Sequence, residues 1–81
     1  MVLHMTQLDV AERILDILVK DLGLKSGDPI PDHRLKESYR TRGGDSADIN
    51  VGLRYAEERE WLTYDRLSDT WYLTELGGQY P

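Results

Sequence analysis

The chain has 81 residues, 40% of them hydrophobic and 31% charged, with a net charge of −5 and no cysteine. That length sets a single domain, residues 1–81, with one modest core, and the hydrophobic fraction excludes disorder throughout. Without cysteine there are neither disulfides nor thiolate metal sites, and the excess of acid argues against nucleic-acid binding by bulk charge alone. The amino terminus lacks the apolar stretch of a secretory leader, and no run reaches membrane-spanning length. A cytoplasmic location without membrane contact is therefore expected.

Met1 to Met5 is expected to be a frayed lead with His4 exposed. Thr6-Gln7-Leu8-Asp9 resembles a capping box with Asp in place of Glu, and the helix it opens runs to Leu22. Leu8, Ala11, Leu15, Leu18 and Leu22 recur at steps of three and four, leaving Asp9, Glu12, Arg13, Asp16 and Lys20 wet. A second stripe of Val10, Ile14 and Ile17 widens the apolar arc. Two arrangements account for that width: cover from the second helix and a hairpin on both flanks, or a two-fold homodimer through Val10, Ile14 and Ile17.

Gly23 is a natural helix stop, and Lys25-Ser26-Gly27-Asp28-Pro29 reads as a turn-rich connection after which Ile30 drops into the core. Pro31-Asp32 opens a second helix, given a thin buried edge by Leu35 and Tyr39. Its other face carries His33, Arg34, Lys36 and Arg40, with Arg42 just beyond. Between residues 33 and 42 four basic side chains face one acid, Glu37, which makes this the one strongly basic segment of the chain. Thr41-Arg42-Gly43-Gly44 is a turn whose paired glycines permit a sharp change of direction.

A third helix spans 46–60, capped by Asp45 or Ser46. Ile49, Gly52, Leu53, Ala56 and Glu60 share the inner face. Ala47, Val51, Arg54 and Glu58 lie opposite, flanked by Asn50 and Tyr55. Trp61 and Leu62 start a strand, Arg66-Leu67-Ser68-Asp69 turns, and Trp71-Tyr72-Leu73 returns, giving a hairpin over 61–73. Alternation sends Leu62, Trp71 and Leu73 inward. The expected core joins Leu15, Leu18, Leu35, Ile49, Leu53, Leu62 and Leu73.

The chain lacks the material of an enzyme. His4 and His33 stand apart with no acid at metal-ligand spacing to both, and Gly43-Gly44 lacks the lysine and hydroxyl of a phosphate loop. Serines 26, 38, 46 and 68 have no histidine near them in sequence. No catalytic residue, metal or cofactor is expected.

The segment INVGLRYAEEREWLTYD, followed by a turn and WYLTELGGQY, is similar to small winged-helix transcription regulators of bacteria and archaea. Leu53, Ala56, Trp61 and Leu62 fill the helix-to-wing step of those families, and Leu73, Thr74, Gly77 and Tyr80 fill the closing Leu-Thr-x-x-Gly-x-x-Tyr. Both MarR- or PadR-like domains and haloarchaeal phage-repressor-like domains come within the resemblance, the latter suiting an acidic, arginine-biased composition. It implies an α+β winged helix-turn-helix of three helices and a two-stranded wing, with Thr74 capping a short turn that Gly77 ends. Glu60 stands where glycine is usual, so that helix end must either be capped differently or bear the cost of a positive φ.

The resemblance further implies sequence-specific binding of double-stranded DNA. Arg34, Lys36, Arg40 and Arg42 would meet backbone phosphates, and Ser46, Ala47, Asn50, Val51, Arg54 and Tyr55 would face the major groove. There Asn50 suits adenine, Arg54 suits guanine, and Ala47 and Val51 suit thymine methyls. Arg66 at the hairpin tip would reach the adjacent minor groove or a phosphate. Each residue also has a plainer role open to it: Arg54 can pair with Glu57 or Glu58, the basic run can be a solvated face, and Arg66 a polar turn residue. Residues 45–60 carry five acids and two arginines. A winged helix with that surface serves equally as a protein-interaction or DNA-mimicking module.

Overall fold

A computed structural model describes residues 6–79. The expectations for Met1 to Met5, His4 and Tyr80 lie outside those residues. The described residues fold as an α+β domain of four helices and a three-stranded antiparallel sheet.

α1 (Gln7–Asp16) starts on the expected capping box. The Thr6 hydroxyl accepts the Asp9 N–H at 3.1 Å, and the Asp9 carboxylate accepts the Thr6 N–H at 3.2 Å. The helix then widens into one π turn, Ile17–Asp21, with the Leu22 N–H reaching back to the Ile17 carbonyl at 2.9 Å. Gly23 takes a left-handed φ of 68° and stops it, as its lack of a Cβ allows. Leu8 does not join the buried stripe: its helical phase turns it to the side of the arc, and it is 39% exposed.

Val10, Ile14 and Ile17 keep only 2%, 1% and 5% of their surface exposed. The other elements of the same chain cover them, so the width of the arc is used up internally. The homodimer read from this stripe has no free apolar surface to form on.

β1 (Pro29–Pro31) is an element that periodicity does not reveal. It pairs antiparallel with β3 (Thr70–Leu73), placing Ile30 opposite Trp71, and the two prolines fit the outer edge of a sheet. β2 (Leu62–Asp65) pairs on the other side of β3, giving the order β1-β3-β2. The hairpin loop comprises residues 66–69, with Asp69 left-handed at φ 52°.

α2 (Asp32–Thr41) follows β1 directly and buries Leu35 and Tyr39. α3 (Ser46–Glu58) is capped by Asp45, whose carboxylate accepts the Ala47 N–H at 2.9 Å. It buries Ile49, Gly52, Leu53 and Ala56, the face expected from spacing; Glu60 lies past the helix end, exposed, at φ 63°. At Gly52 α1 and α3 approach so closely that a Cβ would stand 2.3 Å from Val10 Cγ1 and 3.1 Å from the Ala11 backbone nitrogen. The seven residues expected to form the core all lie in one buried cluster, joined by Tyr39, Trp71 and the Val10 stripe.

α4 (Glu75–Gly78) is a single turn, capped by Thr74 through its hydroxyl and the Gly77 N–H at 3.1 Å. Gly77 lies inside this turn instead of ending it. A Cβ there would come within 2.2 Å of the Trp61 carbonyl oxygen, so the position requires the bare backbone of glycine.

Candidate nucleic-acid interface

Among the described residues nothing covers the outer face of α3. Ser46, Ala47, Asn50, Val51 and Arg54 are all exposed, and Val51 leaves 43% of a β-branched apolar side chain in water. Asn50, Val51, Arg54, Tyr55 and Glu58 line a groove of about 330 Å³ whose far wall is Gln7 of α1. Among the described residues no hydrogen bond or ion pair occupies the Arg54 side chain, although Glu57 and Glu58 stand at pairing distance in sequence.

Tyr55 is placed differently from a free base-contacting residue. It is half-buried, with the Arg59 guanidinium 4.8 Å from its ring centroid and the Trp61 ring 5.9 Å away. It forms a wall of the groove, held from behind.

The four basic side chains of the α2 segment divide in two. Lys36 Nζ sits 3.0 Å from the Asp32 carboxylate one turn earlier. Arg42 donates from Nε to Asp21 at 2.9 Å and from Nη1 to the Ser38 carbonyl at 3.1 Å. Arg34 and Arg40 are exposed and bind no partner among the described residues. His33, Arg34, Glu37, Ser38, Thr41 and Arg42 surround an open depression of about 450 Å³ on this face. Arg66 is exposed at the hairpin tip, likewise without an ion pair.

Two residues outside the expected set fix this surface in place. The Arg13 Nη2 donates to the Arg42 carbonyl at 2.7 Å, and its guanidinium lies 5.8 Å from the Tyr39 ring centroid. Asp21, at the end of the π turn, holds Arg42 itself. Together they tie the α2–α3 turn to α1. No spacing rule reaches across the 29 and 21 residues that separate these partners.

The acids are not distributed evenly. Of nine aspartates, eight cap a helix, brace a turn or pair with a neighbouring donor: Asp9, Asp16, Asp21, Asp28, Asp32, Asp45, Asp65 and Asp69. The six glutamates do none of this with their side chains among the described residues. The free acids on the outer part of α3, Glu57 and Glu58, fall in its last turn. Over 46–54 the outward-facing charge is Arg54 alone, since Asp48 is half-buried and Asp45 is the cap.

Two phenols are perturbed. Burial pushes up the pKa of the Tyr39 hydroxyl, which has no hydrogen-bond partner among the described residues. The Tyr64 hydroxyl donates to the Asp69 carboxylate, and that bond raises its pKa from 10.0 to about 12. Among the described residues no three His, Asp or Glu side chains converge as a metal site, and no helix is long and apolar enough to cross a membrane. No protein-family model, curated protein or solved structure matches the chain.

Proposed function

We propose that the chain is a winged helix-turn-helix regulator that binds double-stranded DNA, with α3 in the major groove and the β2–β3 hairpin as the wing. The observation that carries this reading is the uncovered outer face of α3, where Asn50, Val51 and the unpaired Arg54 stand together. A soluble domain gains nothing in stability from leaving Val51 and Arg54 unpartnered, and both fit base edges: guanine for the guanidinium, a thymine methyl for the valine. The order of elements and the pairing of β1 with β3 agree with a winged helix.

Within this reading Arg34 and Arg40 meet phosphates, because their guanidinium groups are free. Lys36 and Arg42 contribute through the field of an already engaged charge. Asn50 and Arg54 discriminate bases, each for about 1–3 kcal/mol if bidentate. The net charge of −5 means that attraction must be local to this face, and the division of the acids supports that: most aspartates are turned to donors of the fold.

One observation favours a second reading, an acidic protein-binding or DNA-mimicking module. Glu57 and Glu58 are exposed in the last turn of α3, and Glu60 is exposed just beyond it. The experiment that separates the two is titration of mixed-sequence duplex DNA at two salt concentrations. A DNA regulator binds with a salt slope of about −0.9 per phosphate contacted, hence near −2 if Arg34 and Arg40 are the contacts. Absence of binding at low salt, with the fold intact, favours the protein partner.

A further inference from the structure

At the hairpin tip Leu67 is 100% exposed. A lone leucine on a surface is ordinary. Its seat is less so, because the loop that holds it is braced from every side. The Asp65 carboxylate accepts the Leu67 N–H at 3.0 Å and the Ser68 hydroxyl at 2.9 Å. The Thr70 hydroxyl donates to the Ser68 carbonyl at 2.9 Å, and the Tyr64 hydroxyl closes on Asp69. Below the loop, the Tyr64 and Trp71 rings pack in a tilted contact with centroids 4.7 Å apart and planes inclined by 42°. Both carboxylates of the loop are thus turned to internal donors, and the outward groups are Arg66 and Leu67. The result is a rigid apolar knob beside one unpaired cation.

The knob also has a fixed position relative to α2. The Asp32 N–H donates to the Asp69 carbonyl at 2.9 Å, and the Trp71 indole donates to the Asp32 carboxylate at 2.8 Å. Leu67 lies two residues from Asp69, and Arg34 two residues from Asp32. The tip is therefore continuous with the end of α2 that carries the free Arg34.

We infer that Leu67 is a minor-groove wedge: Arg66 enters the groove, and Leu67 presses between two base pairs and bends the duplex. This rests on the DNA-binding reading above and adds a deformation to it. A minor groove attracts arginine by its negative potential, and an apolar side chain inserted there partly unstacks one base step. The bracing matters because a wedge must not fold back; a loop already fixed loses little further entropy on insertion. A single leucine ringed by Asp65, Ser68 and Asp69 is too small for the apolar centre of a protein interface.

The test compares the full chain with Leu67→Ser and Arg66→Ala on two mixed-sequence duplexes, one containing TA steps and one without, each labelled at both ends for energy transfer. Leu67 contacts nothing that the fold needs, so both variants should give the parent's circular dichroism. The inference expects the parent to bend the TA-containing duplex by about 20–90°. Leu67→Ser should leave it nearly straight and bind it roughly ten-fold more weakly, the order expected for one leucine no longer removed from water. Arg66→Ala should lower the salt slope by about one unit. DNA bound by the parent with no bend, or with a bend and affinity that Leu67→Ser does not change, overturns the wedge and leaves the DNA-binding reading standing. A parent that binds neither duplex at low salt overturns both the wedge and the DNA-binding reading.

Discussion

The Trp71 indole nitrogen donates to the Asp32 carboxylate across 2.8 Å, joining β3 to the first residue of α2. The same carboxylate receives Lys36 at 3.0 Å. Asp32→Ala removes both partners and leaves a largely buried indole N–H unpaired, so it should cost about 1–3 kcal/mol in urea denaturation. Lys36→Ala keeps the indole bond and breaks only a partly exposed pair, so it should cost about 0–1 kcal/mol. Equal losses in the two variants would mean that the indole bond contributes nothing.

Gly52→Ala places a methyl group where Val10 Cγ1 and the Ala11 backbone already stand. The helix gains propensity, but α1 and α3 must separate, and overpacking of this kind costs about 1–3 kcal/mol. Thermal unfolding should show the loss. By contrast Leu53→Ala, in the same interface, opens a cavity and should cost about 2–5 kcal/mol.

Tyr39→Phe should leave stability unchanged or raise it by about 1 kcal/mol, since the buried hydroxyl it removes has no partner among the described residues. A clear loss in denaturant would show that the hydroxyl is bonded in solution.

The Tyr64 phenol gives a pH dependence with a definite sign. Its pKa is raised above the ordinary 10.0 to about 12 by the bond to Asp69. The protonated phenol is the form that the fold favours, so the contribution of this bond is whole below pH 10.0 and is lost as pH rises through about 12. Phenolate absorbance should show one tyrosine ionising late. Asp69→Asn keeps a residue that tolerates φ 52° and should bring that titration back toward the ordinary value.

Arg40 and Arg42 should separate cleanly, although both are basic and only two residues apart. On the DNA-binding function proposed above, Arg40→Ala should lower DNA affinity and reduce the salt slope by about one unit with little change in melting temperature. Arg42→Ala breaks the bonds to Asp21 and Ser38, so it should lower the melting temperature. Identical behaviour of the two variants would contradict the division between free and engaged charges.

What the sequence made legible was local. The Thr6–Asp9 box, the Gly23 stop and the inner face of α3 each depend on residues within a turn or two of one another. β1 was not legible, since a three-residue strand with two prolines has no period of its own, and its partner lies some 40 residues later. The apolar width of α1 was read correctly, but width alone does not tell whether another element or another molecule covers it. Asn50, Val51 and Arg54 were placed on the open face by spacing, and they are there. The engagement of Lys36 was available at a spacing of four. That of Arg42 with Asp21 was not, because only the assembled fold brings them together.

Thr74 belongs to two structures at once. Its hydroxyl caps the Gly77 N–H of α4 and also lies within bonding distance of the Glu60 and Trp61 carbonyls, while its own N–H reaches Trp61 at 3.1 Å. A helix of one turn does not nucleate alone, so α4 forms only when the hairpin has closed and brought Trp61 to Thr74. The Gly77 amide then acts as a clock for that closure. Its exchange with solvent deuterium should run at the rate at which the base of the hairpin opens, and Thr74→Val should speed it while leaving the amides of α1 slow.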